Sequence, residues 1–515
     1  MAPGLFHLEA QAQRRPEHPA LVFHDPETGR GAPLTYAALN DEVNQIAQGL
    51  RGLGLAPGSG IAALTGTHRE ALVLYFAAMR LGLWYTPLNM HLKAQEIGQI
   101  VEDAGVKALF YRPAHAAQLP PPGLEYREDT ATLWARCADL PKRCPDDAQE
   151  GAALLFSSGT TGRPKGVITA QPGAPLGTQS ALAVARIRAH GLDENTVYLS
   201  TAPLYHSAPL RYIDMVLRLG GTAQVLTHFD AEAALAILEA EPITHSQWVP
   251  TMFVRLLRLP KARRQGFRAQ THRYAIHAAA PCPPVVKAAM IDWWGPILYE
   301  YYSATEANGQ TVIDSTEWLA HRGSVGRPLI GEVSVRDEQG QPCPRGVAGT
   351  VYLRGGAKFS YLGDPEKTRQ AYLDDGFSTV GDLGYLDKDG FLYLTDRRDF
   401  TVISGGVNIY PREIEDVLLA DPRVADAAVF GLPDEEFGER LHASVELVSG
   451  VDPTGMEAAL RGHCRAQLAH LKCPKSWRFH ERLPRLPTGK LAKHSLREEV
   501  LASLGQTSTQ AQATP

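Results

Sequence analysis

The chain has 515 residues, 44% of them apolar and 21% charged, with a formal net charge of −5. That length exceeds what one hydrophobic core serves and implies two or more domains. The slightly acidic balance, with no basic block, argues against a nucleic-acid binder, and no run of about 18 apolar residues marks a membrane span.

The N-terminal residues lack a charged stretch followed by an apolar one, so no secretory signal is expected. Cys137, Cys144, Cys282, Cys343, Cys464 and Cys473 form no C-x-x-C pair and have no zinc-ligand spacing. They read as reduced thiols of a cytoplasmic protein. The final Ala513-Thr514-Pro515 is not a peroxisomal signal.

Along the chain, Val43, Ile46, Ala47 and Leu50 have helical spacing behind a cap at Thr35 or Asn40. Ile61 to Leu64 predicts a strand, Arg69 to Leu81 a helix and Trp84 to Pro87 a strand. Ile97, Ile100, Val101 and Ala104 predict a helix before a strand at Ala108 to Tyr111. This βαβ rhythm implies an α/β fold with a parallel or mixed sheet covered by helices. Gly52-Leu53-Gly54 imitates the start of a dinucleotide fingerprint, but it follows a helix and Pro57 occupies the third glycine position, so it reads as a helix end. Residues 114–150, rich in Pro, Ala and charge, read as a surface connection. Residues 330–398 predict short strands with Gly/Asp/Pro turns, a β-rich subdomain. Residues 399–503 predict a smaller α+β unit, and 504–515 a disordered tail.

Four stretches carry chemistry. Phe156 to Val167 reads FSSGTTGRPKGV, placing Ser157, Ser158, Thr160 and Thr161 with Gly159, Gly162 and Lys165. Glycines allow close backbone approach, while N–H groups, hydroxyls and an ammonium bind anionic oxygens, so the loop suits a polyphosphate. It is not a Walker A loop, because Pro164 stands where the second glycine would be. The plain alternative is a surface turn. Tyr302, Thr305 and Glu306, in YYSATE, offer an aromatic face, a hydroxyl and a carboxylate able to hold Mg²⁺, or simply core packing. Asp382, in GDLG, with Arg397 fifteen residues on, suits two ribose hydroxyls or a turn with a salt bridge. Lys490, in PTGK, is a movable point charge or a solvated lysine.

Taken in order with PLYH (Pro203 to His206), DRRDF (Asp396 to Phe400) and ISGGVNIYPREIE (Ile403 to Glu415), these motifs resemble the adenylate-forming superfamily. That group comprises acyl-CoA synthetases, peptide-synthetase adenylation domains and firefly-type luciferases. The resemblance runs from Pro16 to Glu499. It implies a large N-terminal adenylation domain over 1–398 and a mobile C-terminal domain over 399–503, with a hinge at Asp399. It implies ATP, Mg²⁺ and coenzyme A, with a carboxylic acid converted to an acyl-adenylate and then to a thioester.

By resemblance, Ser157 to Lys165 hold the β/γ-phosphates. Ala279 and Ala280 line the adenine pocket, Tyr302 stacks on the purine, and Asp382 and Arg397 bind ribose. Thr305 contacts the α-phosphate, Glu306 holds Mg²⁺, and Lys490 reaches the substrate carboxylate. His206 lies beside that carboxylate. Gly405 and Gly406 line the pantetheine tunnel, and Phe437 and Lys475 flank CoA. Cys473 and His91 stand where some relatives carry arginine, and Asp396 and Phe400 depart from the usual hinge pattern. Tyr205, Trp248, Phe253 and Ala278 are the expected acyl-pocket residues and imply an apolar monocarboxylic acid. ISGGVNIYPREIE favours a CoA ligase; the alternatives are a thioester-forming enzyme fed with adenylate, an enzyme loading a carrier protein, and a silent adenylate-binding relative.

Overall fold

The computed structural model describes residues 6–120, 123–157, 165–397, 400, 402–404, 407–434, 437–485 and 491–511. Its largest element is a ten-stranded sheet. From one edge the strands run Arg327–Ile330, Gln310–Asp314, Leu298–Tyr302, Tyr274–His277, His245–Trp248, Val197–Ser200, Thr222–Leu226, Pro19–Asp25 and the short Gly29–Arg30, with Leu34–Thr35 also paired to Pro19–Asp25. The six from Leu298–Tyr302 to Pro19–Asp25 pair in parallel, and the two beyond Leu298–Tyr302 pair antiparallel. Parallel strands leave their carboxyl ends along one edge of the fold, where ligand crevices form.

A second sheet contains the strands expected at 61–64, 84–87 and 108–111, all parallel. Gly60–Leu64 is buried throughout, as a continuous apolar run in a covered parallel strand must be. The helix Tyr36–Gly52 begins at Thr35, whose side chain accepts the Ala38 N–H at 3.2 Å, and ends at Leu53 with Gly54 at φ +75°. The rejected dinucleotide fingerprint is therefore a helix end.

The connection expected over 114–150 carries regular structure instead. Tyr126–Asp129 pairs in parallel with Val106–Tyr111, and helix Thr130–Cys137, capped by Asp129, buries Leu133 and Cys137 against Tyr36–Gly52. The strand is a polar edge strand without apolar alternation, so periodicity missed it.

Glu332–Arg336, Gly349–Arg354, Asp382–Leu386 and Leu392–Arg397 form a four-stranded antiparallel sheet. Its turns fall at the expected Asp337–Gly340 and Asp387–Gly390. Leu155–Ser157, Lys165–Ile168 and Ser360–Tyr361 form a separate three-stranded sheet. The C-terminal part folds on a five-stranded sheet covered by Pro411–Leu419, Met456–Gln467 and Lys493–Ala511. That last helix runs through most of the stretch read as a disordered tail. Leu496 and Val500 anchor it on Phe430 and Leu432.

Candidate active site

The strand pair Leu155–Ser157 and Lys165–Ile168 holds the phosphate-loop motif at both ends, with Ser157 opposite Lys165. Residues 158–164 and the Ser157 side chain lie outside the described residues. The return strand is paired on its other side with Ser360–Tyr361, Val167 facing Tyr361, and the Leu362 N–H bonds the Gly166 carbonyl at 2.9 Å. This pairing carries Tyr361 to Glu306, where its hydroxyl donates to Oε1 at 2.9 Å. Lys367, on the short helix that follows, lies 4.9 Å from the Tyr361 ring centre. Burial and the neighbouring Lys165 ammonium push the Lys367 pKa down to about 8. Two ammonium groups thus converge beside one carboxylate at the end of the loop.

Tyr302, Thr305 and Glu306 follow directly on the carboxyl end of Leu298–Tyr302. The Tyr302 hydroxyl donates to Asp382 Oδ2 at 2.6 Å. Asp382 is directly opposite Arg397 in the strand register; the Arg397 side chain is outside the described set. Glu306 and Asp382 are buried. Among the described residues, two non-glycine positions have left-handed backbone, and both are here: Ala279 (φ 78°) and Ala307 (φ 52°). Such positions are strained and gather where a site dictates the backbone. Ala279 is exposed and Ala280 half-buried, on the turn after Tyr274–His277. Gly356 packs so closely on the loop after Glu306 that a Cβ there would lie 2.4 Å from the Ala307 carbonyl oxygen.

His206 is the residue before helix Ser207–Leu219 and lies edge-on to Tyr205, ring centres 4.4 Å apart. Ala278 and Tyr205 are nearly buried. Trp248 and Phe253, also expected at the acid pocket, are 1% and 0% exposed and pack with Trp294 in the core on the other side of the sheet. Strand alternation is the reason. Gln247 faces the site side, taking the Tyr198 hydroxyl at 2.9 Å and donating to the Tyr301 hydroxyl at 3.2 Å, so Trp248 must point away.

Residues Asp399, Gly405, Gly406 and Lys490 lie outside the described residues. Phe437 is 44% exposed, with the Lys475 ammonium 5.8 Å from its ring centre. Cys473 is buried in the core of the small sheet.

Sequence reasoning missed Tyr361, Lys367, Arg186 and Arg211. Arg211 had a readable signal: Ser207, Arg211, Asp214 and Arg218 recur at helical spacing as one polar stripe on an otherwise apolar helix. Tyr361 had none, because its role follows from strand register.

A family model described as AMP-binding enzyme matches residues 8–360, and one described as AMP-binding enzyme C-terminal domain matches 413–490. Feruloyl-CoA synthase of an Amycolatopsis species is 32% identical over 96% of this chain and 98% of its own. The long-chain-fatty-acid–CoA ligase FadD13 of Mycobacterium tuberculosis is 30% identical over 96% and 98%. The structure of o-succinylbenzoate CoA synthetase from Bacillus subtilis, in complex with its acyl-adenylate intermediate, superposes with a TM-score of 0.81 at 27% identity, covering 95% of this chain and 97% of that one. The chain therefore belongs to the AMP-binding enzymes, the adenylate-forming superfamily of AMP-forming ligases.

Proposed function

We propose that this enzyme is an acyl-CoA ligase that runs both half-reactions. The observation that carries this reading is convergence: Lys165, Glu306, Tyr361, Tyr302 and Asp382, spread over more than two hundred residues, meet through the Tyr361–Glu306 and Tyr302–Asp382 bonds beside the phosphate-loop strands.

In the first half, an oxygen of the acid's carboxylate bonds to the α-phosphorus of ATP and the bond to pyrophosphate breaks. Lys165, with Ser157 to Gly162, holds the departing phosphates. Tyr302 with Ala279 and Ala280 flanks the adenine, Asp382 and Arg397 hold the ribose, and Thr305 meets the α-phosphate. Tyr361 occupies one oxygen of Glu306 and fixes the carboxylate, leaving the other for Mg²⁺, which suits a cation bound by one or two carboxylates and substrate phosphates. When bound, that ion neutralises charge on the phosphates. Lys490 supplies a cation at the attacking carboxylate; losing one such preorganised contact costs roughly 10²–10³ in rate.

In the second half, the CoA sulfur bonds to the acyl carbon and AMP leaves with the bonding pair. Asp399 would serve as the hinge that withdraws Lys490, and Gly405 and Gly406 would line the tunnel without side chains in the way. The exposed Phe437 beside Lys475 supports CoA as acceptor, since an aromatic face with a cation suits an adenine and a phosphate. Tyr205, Ala278 and His206 give the acid an apolar wall next to its reacting carboxyl.

The test is a panel of acids assayed for ATP–pyrophosphate exchange and, in parallel, for CoA-thioester formation by mass spectrometry. Lys490→Ala is expected to suppress exchange while leaving thioester formation from supplied adenylate intact; equal loss of both sinks the assigned role. Exchange without any CoA thioester would favour a carrier protein as acceptor.

A further inference from the structure

Arg80, Arg186 and Arg218 are buried, and Arg211 is half-buried. Arg80 is 3% exposed and has Glu9 at 3.6 Å. Arg218 is 5% exposed and has Glu150 and Asp214, each at 2.6 Å. Arg186 and Arg211 form no ion pair among the described residues. Arg186, 5% exposed, donates from Nε to Gln310 Oε1 at 2.7 Å and stands 5.5 Å from the Tyr301 ring centre and 6.0 Å from that of Tyr212. Arg211 makes two long contacts from one nitrogen, to the Thr305 carbonyl at 3.3 Å and to Thr169 Oγ1 at 3.5 Å.

A buried guanidinium without a counter-ion costs several kcal/mol. The chain offsets that cost with ion-paired carboxylates at Arg80 and Arg218, whereas Arg211 feels the Glu306 carboxylate from beyond ion-pair distance. Other polar groups here are also unmatched. The Tyr212 hydroxyl and Gln310 Nε2, in side chains fully withdrawn from solvent, have no hydrogen-bond partner among the described residues. Arg211 is half-buried and keeps part of its surface open to solvent. Burial and the like charge of Arg186 depress its pKa to about 10, so it remains a cation at neutral pH.

Arg211 also lies at a useful distance. It follows His206 by five residues on one helix, a rise of about 7.5 Å. With the reacting carboxyl beside His206 and Thr305, Arg211 is the first cation along this helix.

We propose that Arg211, backed by Arg186, binds a second anionic group on the acid, so that the substrates are acids carrying a carboxylate or sulfonate separated from the reacting carboxyl by a short apolar spacer. This rests on the acid-activating function proposed above and narrows its substrate class.

The experiment compares the full-length enzyme with Arg211→Met and Arg211→Lys on paired acids: hexanoate with adipate, heptanoate with pimelate, and benzoate with phthalate. Pyrophosphate exchange and thioester formation are both read. The wild type is expected to favour the better diacids over their monoacid partners by about 100-fold in kcat/KM. Arg211→Met is expected to erase that preference, chiefly through KM, because removing one partner of a buried charge pair costs about 2–5 kcal/mol. Arg211→Lys is expected to restore part of the preference, which separates the charge from any folding defect. A wild type that exchanges with monoacids and not with diacids overturns this inference and leaves the ligase standing. An Arg211→Met variant that slows both members of each pair by one factor also overturns it, assigning Arg211 to bracing Thr305. Exchange with no acid, in this panel or the wider one, overturns the ligase reading and this inference together.

Discussion

The two faces of the large sheet are built to opposite rules. The face toward helices Pro250–Leu257 and Pro284–Trp294 is sealed by Trp248, Phe253, Met290 and Ile291. Its deep charges are matched: Lys287 Nζ meets Glu300 Oε2 at 2.6 Å and lies 4.9 Å from the Trp318 ring centre. The other face carries Tyr198, Gln247, Tyr301 and Gln310 under Arg186 and leaves the Tyr212 hydroxyl and the Gln310 amide nitrogen without partners among the described residues. The sealed face is dominated by aromatic and aliphatic packing, with His277 and the Trp294 indole as its unmatched polar groups among the described residues, while the other face is lined by hydroxyl and amide side chains. The difference arises within single strands, since neighbouring residues such as Gln247 and Trp248 serve opposite faces.

The largest expected effect tests what the faces share. Each buries neutral histidines. Burial holds His190 at about 3 and His245 at about 4 on the site face, and His272 at about 3 on the sealed face. The unfolded chain protonates these rings near pH 6.5, so their contribution is complete above that pH and is lost as pH falls toward the folded values. Chemical unfolding from pH 7 to pH 4 is expected to show a loss of several kcal/mol. A flat profile would mean that these imidazoles take up protons without unfolding.

Next in size, Lys287→Met leaves Glu300 buried beside a thioether and is expected to destabilise by about 3–5 kcal/mol in denaturant titrations. Phe253→Ala is expected to cost a similar ~3–5 kcal/mol by opening a cavity among Trp248, Trp294 and His277. If either variant instead raises KM for the acid while stability holds, the sealed face is part of the site and the contrast between faces fails.

The smallest effect belongs to the site. Tyr302→Phe removes the hydroxyl bonded to Asp382 and is expected to raise KM for ATP about fivefold, as the loss of roughly 1 kcal/mol implies, with the unfolding midpoint nearly unchanged. A large stability loss with unaltered KM would make the bond structural.

Much of the architecture was legible because it rests on local periodicity. Ile61 to Leu64 and Val43 to Leu50 announce strand and helix by apolar spacing alone, and Asp337–Gly340 announces its turn by composition. The linear motifs around Lys165, Glu306 and Asp382 were legible because each is contiguous. What was hidden depends on register and facing. Which core Trp248 and Phe253 join shows only once strand and helix directions are fixed. Tyr361 reaches Glu306 only because Val167 pairs with it. Arg211 sits in an apolar helix, where spacing shows a polar stripe but not what the stripe lacks.

The strand Lys165–Ile168 is hydrogen-bonded along both edges, to Leu155–Ser157 and to Ser360–Tyr361. This doubly sewn seam restricts how the enzyme can evolve. A substitution in the seam alters one side chain, but an inserted or deleted residue shifts every partner by one and turns alternate side chains to the other face. Such a slip would reverse Lys165 and draw Tyr361 away from Glu306 in one event. Descendants of this chain are therefore expected to vary here by exchange of residues at constant length, keeping indels for the loops outside the seam.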